Sequence, residues 1–412
     1  MPPRPITHRS LIAAALLAAL HLAAATPARS FDQTIPAACP FPRSTDIASI
    51  TITDLHRTYP GGADTWFPVW TPDGKAYSSF MDGLGANGCG DGPTRQLGFA
   101  WIGGDDPMNL VVKKTSIIEE TSSYGTQPPP GKVGRYACTL LPYKGVIYYG
   151  SSYRIAEDFH FLRPFAGFDI STDDGATWTK RSGALFPEAD YPDIKIGEPH
   201  FVDFGPDLQH SPDGKAYLVA FGADAALAAT RPKQATPNPH LPYENPNWNW
   251  ADCIYLLRLT PSPATINDAA SYEFYAGKDA AGKPVWTHDF SKISPLLEWP
   301  DNMGQVTTTY VPALKKYLMC VTDGKKYSGP FNAYFLESND LTGPWRIAAY
   351  WTAFGTEAYQ VHFPSKFLGT AVKDGALTAW IVYSANFNTP NVDPPDSTYA
   401  MCVRQVSIKL RQ

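Results

Sequence analysis

A short run of β-branched and aromatic residues that follows a tight turn recurs five times, and this recurrence limits the fold more than any single motif. Lys75-Ala76-Tyr77-Ser78-Ser79-Phe80 follows Pro72-Asp73-Gly74, and Val146-Ile147-Tyr148-Tyr149-Gly150 follows Lys144-Gly145. Ala216 to Phe221 follows Pro212-Asp213-Gly214, Lys316 to Val321 follows Pro312-Ala313, and Ala379 to Tyr383 follows Asp374-Gly375. Each run is preceded by a second apolar run and followed by a third: Leu97 to Ile102, Gly167 to Ser171, Ile254 to Leu259, Ala333 to Ser338 and Ala400 to Ile408. Helical periodicity is nearly absent. Strand, turn and strand in five evenly similar copies, each with room for a fourth strand, predict an all-β fold: a single-domain five-bladed β-propeller. A two-sheet sandwich fits less well, because its repeats would divide between two sheets. The copies stand roughly 60 to 100 residues apart, longer than the short propeller repeats. The Pro- and Asn-rich stretches Asp224 to Asn249 and Glu119 to Lys132 are therefore expected as decorations forming a rim, and Ser271 to Asp289 as an extra hairpin in the third blade.

Composition agrees. Of 412 residues, 44% are hydrophobic, which excludes disorder, and 39 Pro with 32 Gly argue against long helices. The net charge of −5 argues against a general nucleic-acid binder. The first segment reads as an address. Arg4 and Arg9 precede an apolar stretch, Leu11 to Ala25, interrupted only by His21, and small residues follow. The stretch is shorter than the roughly 20 residues that span a bilayer. Residues 1–28 are thus expected as a signal peptide, 29–48 as an N-terminal extension and 49–412 as the propeller. The expected product is a secreted or periplasmic monomer with no membrane partner after cleavage. Six cysteines without a CxxC pair argue against a zinc ribbon. Cys39 and Cys89, in loop-like sequence, are the better disulfide candidates, while Cys320 and Cys402 read as buried strand positions.

Ser171-Thr172-Asp173-Asp174-Gly175-Ala176-Thr177-Trp178 matches S-x-D-x-G-x-T-W, the Asp-box hairpin of sialidases and other propellers. Its value is structural, since it works through turn chemistry. Gly83-Leu84-Gly85-Ala86-Asn87-Gly88 matches GxGxxG by letters, but no helix pattern follows, so nucleotide binding is not expected. Neither G-x-S-x-G nor H-E-x-x-H occurs.

Propellers bring the first strand of each blade to the axis, which singles out certain acidic residues. Asp64, in Ala63-Asp64-Thr65-Trp66, stands at the entrance of the first blade's inner strand, and Asp82 leaves the second strand of the same blade. Antiparallel pairing places the two ends side by side, so two carboxylates would face one pocket and separate into an acid and a base. Glu198, in Gly197-Glu198-Pro199-His200, opens the third inner strand, with His200 as neighbour or second base. A fourth blade beginning Glu298-Trp299-Pro300-Asp301-Asn302 and a fifth beginning Glu357-Ala358-Tyr359-Gln360-Val361-His362 would add polar and aromatic groups. Trp66, Trp299 and Tyr359 are the candidate sugar-stacking platforms, and His200, Asp301, Asn302 and His362 the candidate polar contacts.

Asp64-Thr65-Trp66 with Asp73-Gly74-Lys75-Ala76-Tyr77 and Met81-Asp82-Gly83 resembles the opening of the domain-of-unknown-function family 4185. Ile196-Gly197-Glu198-Pro199-His200-Phe201 and Leu336 to Trp345 also look like family 43 and related five-bladed glycoside hydrolases. The resemblance covers roughly residues 45 to 408, in pattern more than in letters. Some 4185-type proteins are endo-D-arabinanases of glycoside hydrolase family 183, which implies a secreted glycan hydrolase. By likeness to family 43, Asp64 matches the general base and Glu198 the general acid. That family also has an Asp on the second blade, which Gly134-Arg135-Tyr136-Ala137-Cys138 lacks. By likeness to the arabinanases, Asp64 and Asp82 do the chemistry.

The expected function is hydrolysis of a polysaccharide, with an arabinan-type furanoside among the candidates, by two carboxylates flanking the glycosidic bond. One alternative is a polysaccharide lyase using His200, Tyr359 or His362 as base and Lys366 or Arg135 to neutralise a uronate. Another is a lectin-like propeller with Trp66, Trp299 and Tyr359 as its floor. No cofactor is expected. Asp and Asn near the axis would suffice for a hard cation such as calcium, but no ligand spacing argues for one.

Overall fold

The computed structural model describes residues 32–59, 62–83, 96–120, 133–155, 162, 164–181, 183–187, 194–230, 246–324, 329–387 and 396–412. Strand β1 spans Ile47–Tyr59. Blade one is β2 (Val69–Trp70), β3 (Ala76–Phe80), β4 (Gln96–Gly103) and β5 (Val111–Glu120); blade two is β6 (Val133–Tyr143), β7 (Val146–Ile155) and β8 (Phe165–Ser171). Blade three holds β9 (Glu198–Phe201), β10 (Ala216–Gly222), β11 (Ala251–Leu259), β12 (Glu273–Lys278), β13 (Pro284–Thr287) and β14 (Leu297–Met303). Blade four is β15 (Gln305–Val311), β16 (Lys316–Asp323), β17 (Pro330–Ser338) and β18 (Arg346–Thr356). Blade five is β19 (Tyr359–His362), β20 (Ala376–Ser384) and β21 (Met401–Leu410), completed on its outside by β1. The five-bladed propeller expected from the repeats is thus present, and every pairing within a blade is antiparallel.

The middle strands are buried on both faces, as their near-continuous apolar sequences require; β10 has no exposed residue. Each blade packs face to face with the next through large side chains. Trp351, Phe354 and Tyr383 fill the seam between blades four and five, and Tyr59, Trp66, Phe80 and Trp380 that between five and one. Between blades one and two, Trp178 stands edge-on to Phe99 and Tyr149. Its turn is held by Asp173, which accepts from the Thr177 backbone N–H at 2.9 Å and hydroxyl at 2.6 Å. The turns before β3 and β10 share one chemistry: Asp73 and Asp213 each accept from the backbone N–H two residues on, at 3.4 and 3.1 Å.

Two features depart from the sequence reading. The ring closes through β1, which pairs with β21 from Ile47 opposite Leu410 to Tyr59 opposite Met401. Before it, Ser44 N–H donates to the Ile347 carbonyl at 2.8 Å, so the chain ahead of β1 runs beside β18. The second departure is at Glu298 to Met303, expected to open blade four. This segment is β14, added to blade three beside β11 with Glu298 opposite Cys253, and the fourth inner strand begins at Gln305. The extra hairpin of blade three is present as β12 and β13. Arg258 ties it to the blade, pairing with Glu273 and Asp213 and lying 3.9 Å over the Trp286 ring.

Cys320 and Cys402 are buried in β16 and β21, and Cys39 is a free thiol held on the Phe41 carbonyl rather than half of a disulfide. Cys89, residues 1–31, the glycine run after Gly83, and most of the two expected rim stretches lie outside the described residues.

Candidate active site

The inner strands β2, β6, β9, β15 and β19 stand around the axis and run in the same direction, so their heads meet at one end of it. At this mouth, Asp64 forms a two-way backbone bridge with Met81, each N–H donating to the other's carbonyl at 3.0 Å. Asp82 follows directly, so the strand register brings together the two carboxylates that the sequence paired. Gly83 is needed for this approach, since a Cβ there would fall 1.2 Å from the Gly62 carbonyl oxygen.

The Asp64 carboxyl is held well above the ordinary carboxylate range, first by burial and then by the neighbouring Asp82 charge. The Tyr359 hydroxyl donates to Asp64 Oδ2, and it and the Tyr399 hydroxyl pull the other way by favouring the charged form. The backbone here is unusual. Thr65, Asp82, Glu357 and Gln360 all lie in the left-handed region, at φ 54°, 55°, 48° and 54°. For a β-branched residue such as Thr65 this is a true outlier, costing about 1–3 kcal/mol, and such residues cluster at functional sites.

Glu198 heads β9 and is 4% exposed; Gln305 Nε2, at the head of β15, donates to its Oε2 at 3.4 Å. On blade two, Arg135 is buried and makes a bidentate pair with Asp169, both contacts at 3.0 Å. Its guanidinium is therefore committed within its own blade.

Four expected ligand contacts lie elsewhere. Trp66 is 1% exposed, stacked on Phe80 with its indole donating to the Ala63 carbonyl, so it is core rather than a platform. Trp299 packs against Phe41, Tyr334 and Tyr350, because its strand joined blade three. Asp301 and Asn302 moved with it. Asp301 N–H donates to Asp252, and its carbonyl takes the Trp250 indole N–H, while Asn302 Nδ2 donates to the Pro300 carbonyl.

His200 and His362 form the next layer down the axis. Phe67 stacks on His362 at 4.3 Å and tilts against His200 at 5.4 Å, and Gln360 Nε2 meets His200 Nε2 at 3.2 Å. Both rings are fully buried, and burial lowers each pKa to about 3. They are neutral channel fillers beneath the carboxylates rather than ligand contacts. Lys366 is at the opposite end of the axis, bound to Asp105 at 2.6 Å and the Gly74 carbonyl at 3.0 Å.

Three residues of the mouth were missed. Trp248 stands edge-on to Tyr359 at 5.3 Å and to Phe387 at 5.5 Å, and is partly exposed; Tyr399 is the third. Trp248 lies in Asn247-Trp248-Asn249-Trp250, at the end of the stretch read as rim, and two Trp among Asn there were the available signal. Elsewhere, the ligand atoms of Asp224, Cys253 and Glu298 lie within 4.8 Å of one another. Burial and adjacent carboxylates push the Cys253 thiol far up, which disfavours the thiolate a metal requires.

No family model matches the chain, and no curated protein matches it. Among solved structures, the chain is similar to the GH43_1 enzyme from Xanthomonas citri complexed with xylose, at 11% identity and TM-score 0.43, over 85% of this chain and 89% of that one. It is similar to CoXyl43, a GH43 β-xylosidase/α-arabinofuranosidase from a compost microbial metagenome in complex with xylotriose, at 13% identity and TM-score 0.44, over 87% of this chain and 98% of that one. It is also similar to an inulosucrase from Halalkalicoccus jeotgali bound to kestose, at 12% identity and TM-score 0.45, over 91% of both chains. Likeness at this level is one of strand arrangement, and the chemistry has to be read from this chain's own mouth.

Proposed function

We propose that this protein is an exported glycoside hydrolase that cleaves a polysaccharide at the Asp64 end of the axis. The observation that carries this reading is the pair of adjacent carboxylates, one buried and raised, at the meeting point of the inner strands. Burial and the Asp82 charge favour the protonated form of Asp64, which suits it to give its proton to the leaving glycosidic oxygen. Asp82 or Glu198 then acts on the opposite side of the sugar ring, activating water or attacking the anomeric carbon; the separation of the working pair sets the stereochemistry. Trp248, partly exposed, supplies the aromatic surface against which a sugar ring would rest, while Tyr359, expected as a platform, is 1% exposed and stands buried behind it as the partner of Asp64. Export rests on Arg4, Arg9 and the apolar stretch Leu11 to Ala25. The resemblance to 4185-type proteins makes D-arabinan the first substrate to try.

A lyase has less support, because Arg135 is paired with Asp169 and Lys366 sits at the other end of the axis. The test is product analysis on D-arabinan, L-arabinan, xylan and a uronate polymer, comparing wild type with Asp64→Asn, Asp82→Asn and Glu198→Gln. New reducing ends that disappear with Asp64→Asn support the reading. Unchanged release in that variant, or unsaturated products absorbing in the near ultraviolet, sinks it. Binding without release in every protein would favour a lectin-like propeller.

A further inference from the structure

Asp64 is bridged into blade one, but the two hydroxyls that reach its carboxyl come from blade five. Tyr359 heads β19, and its hydroxyl donates to Asp64 Oδ2. Its ring is pinned edge-on by Trp248 at 5.3 Å and Phe387 at 5.8 Å. Tyr399 stands just ahead of β21, and its hydroxyl also bonds Asp64. The two segments are tied to each other. Ser384 is the cross-strand partner of Tyr359, and its hydroxyl donates to the Ala400 carbonyl at 3.1 Å. Ala385 N–H donates to the Thr398 carbonyl at 3.3 Å, and Asn386 Nδ2 to the Ser397 carbonyl at 3.2 Å. Blade five thus presents a fixed pair of hydroxyls to a carboxyl of blade one.

The seat of this carboxyl is open on one side. Tyr359 is buried, but Asp64 retains 7% exposure, and Asp82, Tyr399 and Trp248 around it are each partly exposed. Two donors at a resting acid call for an explanation. Burial and the Asp82 charge favour the protonated form of Asp64, and Glu357 adds negative charge near Tyr359. A carboxylate accepts a hydrogen bond roughly twice as strongly as a neutral carboxyl. The two hydroxyls are therefore worth most in the form that the resting site disfavours.

We infer that Tyr359 and Tyr399 are positioning residues for proton transfer, holding the carboxylate that Asp64 becomes when its proton passes to the leaving oxygen. In that step the O–H bond of Asp64 breaks and the proton joins the glycosidic oxygen. That oxygen keeps the electron pair of its broken bond to the anomeric carbon. Water then gives hydroxide to the anomeric carbon and, in net, its proton back to Asp64. Both hydrogen bonds strengthen as charge develops on Asp64, so they stabilise the transition state more than the bound substrate. The inference rests on the hydrolase reading above, in which Asp64 is the acid.

Tyr359→Phe and Tyr399→Phe keep the ring and remove the hydroxyl. Reducing ends released from D-arabinan, L-arabinan and xylan are followed against pH for wild type, both variants and Asp64→Asn. Protonation of Asp64 is read separately, without substrate, from the infrared carboxylic stretch that Asp64→Asn lacks. The expected result in each variant is a kcat about tenfold lower with KM unchanged. The alkaline limb and the infrared midpoint should both move to higher pH, whereas loss of a merely structural hydroxyl would leave both in place. An unmoved infrared midpoint in both variants overturns the inference. Full kcat in both, with Asp64→Asn inactive, also overturns it and leaves the hydrolase reading standing. If Asp64→Asn is as active as wild type, or wild type releases nothing from any of the three, the hydrolase reading falls and the inference with it.

Discussion

Two buried aspartates stand at opposite ends of the propeller axis, and burial raises the pKa of both. Asp203, at the base, is surrounded by donors. The Ser365 N–H and hydroxyl reach it at 2.7 Å, and the Gly205 N–H at 2.9 Å. Its backbone exchanges hydrogen bonds with Thr308 and Tyr310 of blade four, and Ser365 takes the Trp70 indole N–H at 2.7 Å. Asp203 thus clasps blades three, four, five and one. Asp64, at the mouth, faces another carboxylate, sits between left-handed residues and is met by two tyrosine hydroxyls. The same residue type under the same burial is satisfied at one end and frustrated at the other. Frustration that a fold retains marks the end where chemistry is expected.

Substitution separates the two ends. Asp64→Asn should reduce turnover by a factor on the order of 10²–10⁴, measured as reducing ends released, while the fold persists. Its effect on stability has the opposite sign. A carboxyl raised in the folded state contributes stability that is fully present below the unfolded value of about 3.9 and is lost as pH rises through the folded value. The melting temperature of Asp64→Asn should therefore exceed that of wild type by a margin that widens with pH. Asp203→Ala should do the reverse, stranding three donors and lowering stability by roughly 2–4 kcal/mol in denaturant titration, with turnover per folded molecule unchanged. Equal behaviour of the two variants would break the contrast.

Smaller effects sharpen it. The Tyr359 hydroxyl favours the charged form of Asp64, so Tyr359→Phe should raise the Asp64 pKa further and move the alkaline limb of the pH–rate profile upward. A limb that stays put would leave Tyr359 as a packing residue. Below the carboxylates, His362 has a folded pKa of about 3. A depressed value contributes stability that is present above the unfolded value of about 6.5 and is lost as pH falls toward 3. His362→Gln, which cannot take the proton, should flatten the acid limb of a melting-temperature profile in that window, with His200 keeping part of the slope.

The strands were legible because each middle strand is buried on both faces and must be apolar throughout. That signal survives in Ala216 to Phe221 and in Ala379 to Tyr383 without any knowledge of neighbours. The pairing of Asp64 with Asp82 was legible for the related reason that a hairpin fixes its own register. Glu298 to Met303 was misassigned because its apolar and acidic pattern is that of any strand near the axis; which sheet it joins is decided by the β11 edge it meets. Trp66 was misread because an indole that fills a seam and one that faces a sugar have the same local sequence.

The sequence by itself determined an all-β propeller of five blades and placed two carboxylates at the end of one hairpin, since turn chemistry and burial act over a few residues. Only the tertiary structure decided that β1 closes the ring, that His200 and His362 fill the channel, and that Trp248 and Tyr399 gather at the mouth. Those arrangements depend on contacts between blades, and no stretch of chain records which distant face will be laid against it.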